Sequence, residues 1–226
     1  MFQKNTSIDQ WDKYWDEDKL ASGSLYHFIA NIYRNLIFRN ALGHFVNKYV
    51  TINAVALHAG CGSGDVDRSI NRQICIIALD FSKKATNLYN NTNGRYANAV
   101  QGNILYLPFD TATFDCVYNL GVMEHFTEDQ INIILSEFNR VLKPGGRLLI
   151  FWPPEFGLSV RFFKVISVIG KRIQFLNRML QYPHEITRIK SKSHAISIFQ
   201  KANFKVIDCY FGIRDMFTHC VVIAEK

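Results

Sequence analysis

Val55-Ala56-Leu57-His58-Ala59-Gly60-Cys61-Gly62-Ser63-Gly64 decides how this chain is read. The apolar run from Ala54 to Leu57 has the composition of a buried strand. It breaks into a loop with glycine at 60, 62 and 64. Glycine at these places removes Cβ, so the backbone can turn tightly and a ligand can lie against bare N–H groups. Polar, helix-compatible residues follow from Asp65 to Ile70. Such a loop is common by itself, and its neighbours give it meaning. Ile74 to Leu79 is a second apolar run ending in Asp80, 16 residues beyond Gly64. That is near the spacing at which a carboxylate on a second strand meets a ribose diol. Strand, glycine loop, helix, strand and acid make a nucleoside-binding half-fold. The plainer alternative is a tight turn followed by a surface Asp.

The rest of the chain continues the alternation. Ser82 can cap a helix to about Tyr89, and Asn90-Asn91-Thr92-Asn93-Gly94 has turn composition. Strands are expected at 97–101, 114–119 and 147–152, with a helix from Glu128 to Leu142 stopped by Lys143-Pro144-Gly145-Gly146. A helix from Ser193 to Ala202 and a closing antiparallel pair, Phe204–Tyr210 and Thr218–Ala224, complete the pattern. The fold expected is α/β: a Rossmann-like, doubly wound, mainly parallel seven-stranded sheet with ligands at the strands' C-terminal ends. Upstream, Leu25 to Lys48 carries apolar residues at helical spacing. Trp11, Tyr14 and Trp15 form an i, i+3, i+4 stripe on a short helix over 7–19.

Composition narrows the classes. At 226 residues and 48% hydrophobic content the chain is one domain of ordinary size. Five cysteines form no C-x-x-C pair and mostly sit in apolar runs, which fits buried thiols of a reducing compartment, not a disulfide frame or zinc site. The start Met1-Phe2-Gln3-Lys4-Asn5 has no apolar signal core, and no run of 18 apolar residues exists, so a soluble or peripheral cytoplasmic protein is expected. The net charge of +7 lies wholly in residues 151–226, which hold 12 basic and 5 acidic side chains. A basic surface there suits an anionic substrate, a membrane face or nucleic acid, and equally a solvated face.

Five blocks in one order carry a resemblance: Leu57 to Gly64, Leu79-Asp80-Phe81-Ser82, Gly102 to Phe109, Phe114 to Asn119, and Val141-Leu142-Lys143-Pro144-Gly145-Gly146. The chain resembles the class I S-adenosylmethionine (SAM)-dependent methyltransferases, in the small-molecule branch that includes the ubiquinone and menaquinone methyltransferases. The resemblance implies SAM as cofactor. It places the methionine end on Gly60, Cys61, Gly62 and Gly64 beside His58, and the ribose hydroxyls on Asp80. Phe81 would pack on adenine, Asn103 and Ile104 flank its rim, and Asn119 and Leu120 lie under the methionine part. The chain departs from the family twice: His58 stands where an acid is usual, and Asn103 where Asp is usual. Asn103 can still accept from the adenine amine through its carbonyl oxygen. The resemblance divides the single domain into N-terminal helices and lid (1–50), SAM-binding core (51–152), helical insertion (153–192) and closing helix and strands (193–226).

Methyl transfer asks mainly for alignment and exclusion of water, because the sulfonium is already activated. In Met123-Glu124-His125-Phe126, just past the fourth strand, His125 is the candidate general base, its imidazole titrating near neutrality. The competing reading is that Glu124-His125 only ties this loop to its neighbours. Some relatives bind a divalent metal through Glu-x-x-Glu-His; here the first position is Gly121, so no metal is expected. Tyr14, Trp15 and His184 are candidates for the lid and acceptor pocket. Read as a helix, Gly157 to Gln181 gathers Arg161, Lys164, Lys171, Arg172 and Arg178 within about 120° of one another, with Phe162, Ile166, Ile169, Ile173, Leu176 and Met179 on another side. That suits a lid, a membrane contact, or a helix packed on the core.

The expectation is methyl transfer to O or N of a small, apolar or lipid-like acceptor, with no DNA partner and the oligomeric state open. Two rivals stand: an RNA or protein methyltransferase using the basic last third, and a non-catalytic SAM-fold partner subunit.

Overall fold

The computed structural model describes residues 11, 12, 15, 33–158 and 185–226, with only the backbone at 33–35. The expectations for Tyr14, His184 and nearly all of the 157–181 helix lie outside the described residues.

Seven strands form one sheet: β1 (Val55–Ala59), β2 (Cys75–Asp80), β3 (Ala97–Gln101), β4 (Phe114–Leu120), β5 (Leu142–Trp152), β6 (Lys205–Tyr210) and β7 (Cys220–Glu225). Their order is β3-β2-β1-β4-β5-β7-β6. The first five are parallel, while β7 runs antiparallel to both β5 and β6. The described helices are α1 (Arg39–Tyr49, continuing a π-helical turn, Tyr33–Phe38), α2 (Lys83–Asn93), α3 (Glu128–Val141) and α4 (Lys192–Lys201). The chain winds outward from β1 to β3 and then returns to lay β4 on the other side of β1. The crevice beyond the C-terminal ends of β1 and β4 is therefore the topological switch point, where open α/β sheets bind ligands.

Period-2 alternation sorts the central strands into two cores, as a sheet covered on both faces requires. Leu57, Val117, Leu148, Ile150 and Trp152 join Ile131, Ile134, Leu135 and Phe138 of α3. Ala56, Ala78, Tyr118, Leu149 and Phe151 join Leu42, Phe45 and Val46 of α1 on the other face. The α3 positions fall at i, i+3, i+4 and i+7. Its start is fixed by a capping box, Thr127 accepting from Gln130 N–H while Gln130 Oε1 accepts from Thr127 N–H at 3.0 Å.

Several boundaries differ from the pattern, each for a tertiary reason. β1 runs two residues further, because His58 and Ala59 pair with Ala78 and Leu79 of β2, and His58 also with Tyr118 of β4. Asp65–Ser69 makes only a short 3₁₀ turn, with Asp67 turned into the core. α2 runs through the predicted turn to Asn93, since Asn90 and Asn93 spend their side chains on tertiary bonds: Asn90 Oδ1 accepts from Ala99 N–H at 2.8 Å, and Asn93 donates to Gly64 O at 3.0 Å. β5 begins at Leu142, which pairs with Phe114 before a register shift, and Gly145 takes the left-handed conformation (φ 75°). Cys61, Cys116, Cys209 and Cys220 are buried as expected, but Cys75, at the start of β2, is exposed. No helix among the described residues is long and apolar enough to cross a membrane.

Candidate functional site at the switch point

The glycine loop is built as its sequence demands. Gly60, Gly62 and Gly64 all have positive φ (80°, 52° and 71°), and Gly60 and Cys61 N–H both donate to Leu79 O, at 2.7 and 3.0 Å. A Cβ on Gly60 would come within 2.5 Å of Val122, so the loop after β4 lies directly on the glycine loop. A Cβ on Gly64 would come within 2.2 Å of Tyr89 and 2.4 Å of Asn93 of α2. Glycine is required here by both backbone conformation and space.

Asp80 ends β2 against this loop. Its Oδ2 accepts from Gly62 N–H and its Oδ1 from Ser82 N–H, both at 2.9 Å. Burial raises its pKa; the two N–H donors and the nearby His58 oppose that rise. Each carboxylate oxygen keeps lone-pair capacity beyond its one backbone donor, so the group can organise the loop and still accept from two hydroxyls. Phe81 follows it, half-buried.

His58 and Asn119 lie beneath the loop. His58 is buried, with Nδ1 2.9 Å from Asp67 Oδ2, and it stacks on Tyr118 with ring centroids 4.5 Å apart. Tyr89 donates to the same Asp67 oxygen at 2.7 Å. Asn119 donates to Ala59 O at 2.7 Å, joining the ends of β4 and β1, while its Oδ1 is buried without a partner. Leu120 is half-buried beyond it. Asn103 Oδ1 accepts from Leu105 N–H at 2.9 Å, so the oxygen expected at an adenine amine also closes its own turn. Ile104 is buried in the cluster that holds Leu79 and Leu107, which leaves its backbone, not its side chain, to flank a base.

The loop after β4 is held from outside. Glu124 O accepts from Ile186 N–H at 2.6 Å and Thr187 N–H at 3.1 Å, and the Thr187 hydroxyl donates to Phe126 O at 2.9 Å. The chain that follows the insertion is thereby tied to the turn carrying His125. The Glu124 carboxyl is buried, its Oε2 without a partner, and burial pushes its pKa up to about 8, with Glu185 acting in the same direction and Arg188 against it. His125 is half-exposed, with the Trp11 ring edge-on at 5.2 Å between centroids. Asp12 accepts from the Ser82 hydroxyl, and a Cβ on Gly62 would come within 2.8 Å of the Trp15 ring. The described N-terminal residues thus reach the glycine loop, the start of α2 and His125 together.

Asp67, Tyr89 and Tyr118 were not legible as site residues from spacing. The one available signal was a carboxylate three residues past Gly64, in a chain lacking the usual acid on β1. No group of three metal-ligating side chains occurs among the described residues.

Positive-φ glycines, a β2-end carboxylate and an orphaned Asn119 oxygen at the switch point fit a SAM-type nucleoside carrying an amino acid. The fold is a Rossmann-like α/β sheet with a nucleoside-type site at its switch point. Residues 57–150 match the family described as "Methyltransferase domain". The demethylmenaquinone methyltransferase of Lactiplantibacillus plantarum is 29% identical over 174 residues, covering 70% of this chain and 73% of that one. The tRNA (carboxymethyluridine(34)-5-O)-methyltransferase alkbh8 of Xenopus tropicalis is 35% identical over 98 residues, covering 42% of this chain and 15% of that one. The crystal structure of magnesium protoporphyrin IX methyltransferase from Synechocystis PCC 6803 with bound SAH shares the fold, with a TM-score of 0.72, 12% identity and 97% of each chain covered. The chain spans about half or less of the length of several curated relatives it matches.

Proposed function

We propose that this protein transfers a methyl group from SAM to a small, apolar acceptor at the β1–β4 switch point. The observation that carries the reading is convergence. Gly62 N–H sits on Asp80, Val122 packs on Gly60, and His125 stands in the same loop as Val122. SAM supplies the activated methyl group. The protein's share is to bind the cofactor along the glycine loop, hold its ribose on Asp80, and present an acceptor whose proton His125 can take. Trp11 and Trp15 furnish an aromatic cover that excludes water.

Alignment extent supports a small acceptor. The demethylmenaquinone enzyme aligns well beyond the core, into the segments that would shape an acceptor pocket, whereas the tRNA enzyme aligns over 98 residues. A cytoplasmic protein that meets a membrane surface to take a lipid-like acceptor agrees with this reading and with the basic last third.

The test is release of S-adenosylhomocysteine (SAH) from SAM with a panel of naphthoquinols, phenols and amines beside bulk tRNA and a basic protein, together with sedimentation on anionic liposomes at low salt. Turnover on an apolar member of the panel is expected. Turnover on tRNA alone would move the assignment to RNA, and absence of SAM binding would leave a non-catalytic subunit.

A further inference from the structure

The tip of the last hairpin, residues 211–219 between β6 and β7, spends backbone strain on exposed apolar side chains. Met216 and Phe217 both take the left-handed conformation (φ 56° and 57°), which bulky side chains rarely adopt. They are 50% and 39% exposed, and Ile213 beside them is 78% exposed. Hydrogen bonds lock this shape. Phe217 N–H donates to Gly212 O at 2.8 Å, Phe217 O accepts from Leu158 N–H at 2.9 Å, and the Tyr210 hydroxyl oxygen accepts from Arg214 N–H at 3.0 Å. Inside the turn the fully buried Asp215 accepts from His219 N–H at 2.5 Å. Strain held in place by so many bonds marks a segment with a task.

The apolar side chains are continuous. Phe156, Phe211 and Phe217 meet edge to face, with successive centroids 5.0 and 5.5 Å apart, and Leu158, bonded to Phe217, is 51% exposed. The turn that carries the exposed Leu36 packs against Ile213–Asp215. Arg214 is exposed between Ile213 and Met216, the acid next to it is buried, and Glu155 is the exposed carboxylate of the neighbouring turn. The net charge of +7 belongs to residues 151–226, the part of the chain that builds the tip. Cys220 pairs with Trp152, the last residue of β5, so the tip stands at the C-terminal edge of the sheet. That is the edge of the glycine loop, and β4 is two strand spacings away, about 10 Å.

A stable protein interface takes roughly 800 Å² and 20–30 residues from each partner. A few partly exposed side chains on a hairpin tip fall far short of that. A bilayer, in contrast, takes up a few apolar side chains at its headgroup boundary and draws cations to its anionic lipids. We propose that the β6–β7 tip, with Ile213, Met216 and Phe217 as its apolar points and Arg214 as its cation, docks on the surface of an anionic lipid bilayer. The proposal rests on the apolar-acceptor reading above for its purpose: a docked tip sets the ligand-binding edge of the sheet against the phase that dissolves such an acceptor.

Sedimentation at low salt with vesicles of phosphatidylcholine, alone or with phosphatidylglycerol added, tests it. The parent protein is expected to bind the anionic vesicles more tightly than the neutral ones. Ile213→Asn, Met216→Asn and Phe217→Asn made together should weaken that binding at least about tenfold with SAM affinity unchanged, since asparagine tolerates the left-handed backbone and removes the apolar surface. Ile52→Asn, at an exposed apolar position before β1 on the opposite edge of the sheet, should bind as the parent does. Should the triple variant not fold, Ile213→Asp alone places a carboxylate at the most exposed point and should lose at least about threefold. A parent that binds no vesicles or binds both compositions equally overturns the proposal, as does a folded tip variant that binds as well as the parent. A dimer that forms in place of vesicle binding and is abolished in the triple variant also overturns it, because a second copy then covers the tip. Vesicle binding by a parent that turns over no apolar acceptor supports the docking surface and defeats the acceptor reading alone.

Discussion

Replacing Glu124 by glutamine should change how stability depends on pH, in a direction the structure fixes. The Glu124 carboxyl is buried behind the His125 turn and holds its proton up to about pH 8, against 4.5 for an ordinary glutamate. Between those values the unfolded chain has lost a proton that the native chain keeps. Stability from this group is therefore full below about pH 4.5 and is lost as pH rises, by up to about 1.4 kcal/mol per unit. Over the whole window the ceiling is roughly 4–5 kcal/mol. The parent curve alone will not isolate this. His219, held neutral by burial with its pKa lowered to about 3, gives the opposite slope up to its ordinary value near 6.5. The difference between parent and Glu124→Gln cancels that background, since glutamine keeps the shape and does not titrate. Urea unfolding at pH 5, 6, 7 and 8 should show the variant gaining on the parent by at least about 2 kcal/mol across the range. A difference constant to within about 0.5 kcal/mol would mean that Glu124 is ionised in the native protein and that its surroundings are wrongly described.

Asp80→Ala removes the acceptor of Gly62 N–H as well as the proposed ribose contacts; since charge-assisted bonds are worth about 1.5–3 kcal/mol each, SAM affinity by calorimetry should fall at least tenfold with the fold retained. Equal affinity for parent and variant would remove Asp80 from the site. His125→Ala should lower turnover on the true acceptor by roughly 10²–10⁴ with SAM affinity little changed, and a loss below tenfold would leave His125 as a support of its loop. Gly64→Ala should destabilise by roughly 2–4 kcal/mol, combining the left-handed conformation with a Cβ forced onto Tyr89 and Asn93. Gly145→Ala, at φ 75° with nothing within 4 Å, should cost only about 1–2 kcal/mol, so similar melting shifts for the two would refute the packing argument.

What the sequence made legible was whatever a backbone requirement dictates locally. Gly60, Gly62 and Gly64 announce positive φ, Ser82 and Thr127 announce helix starts, and alternating apolar runs announce a sheet covered on both faces. What stayed hidden were side chains whose partners are remote in sequence or whose propensity is overridden on arrival. Asn90 and Asn93 look like turn residues and become helix because Ala99 and Gly64 give them bonds that a turn would not. Glu124 reads from the sequence only as half of a Glu-His pair that ties its loop to neighbours; the neighbours are Ile186 and Thr187, some sixty residues later, whose N–H groups donate to its backbone carbonyl, and the residue is buried. His58 is the instructive case. Taken alone it is a departure from the motif and counsels doubt about the cofactor. Its partner Asp67 stands nine residues on, Oδ2 2.9 Å from His58 Nδ1, so the pair is made by the turn after the loop and no local pattern announces it.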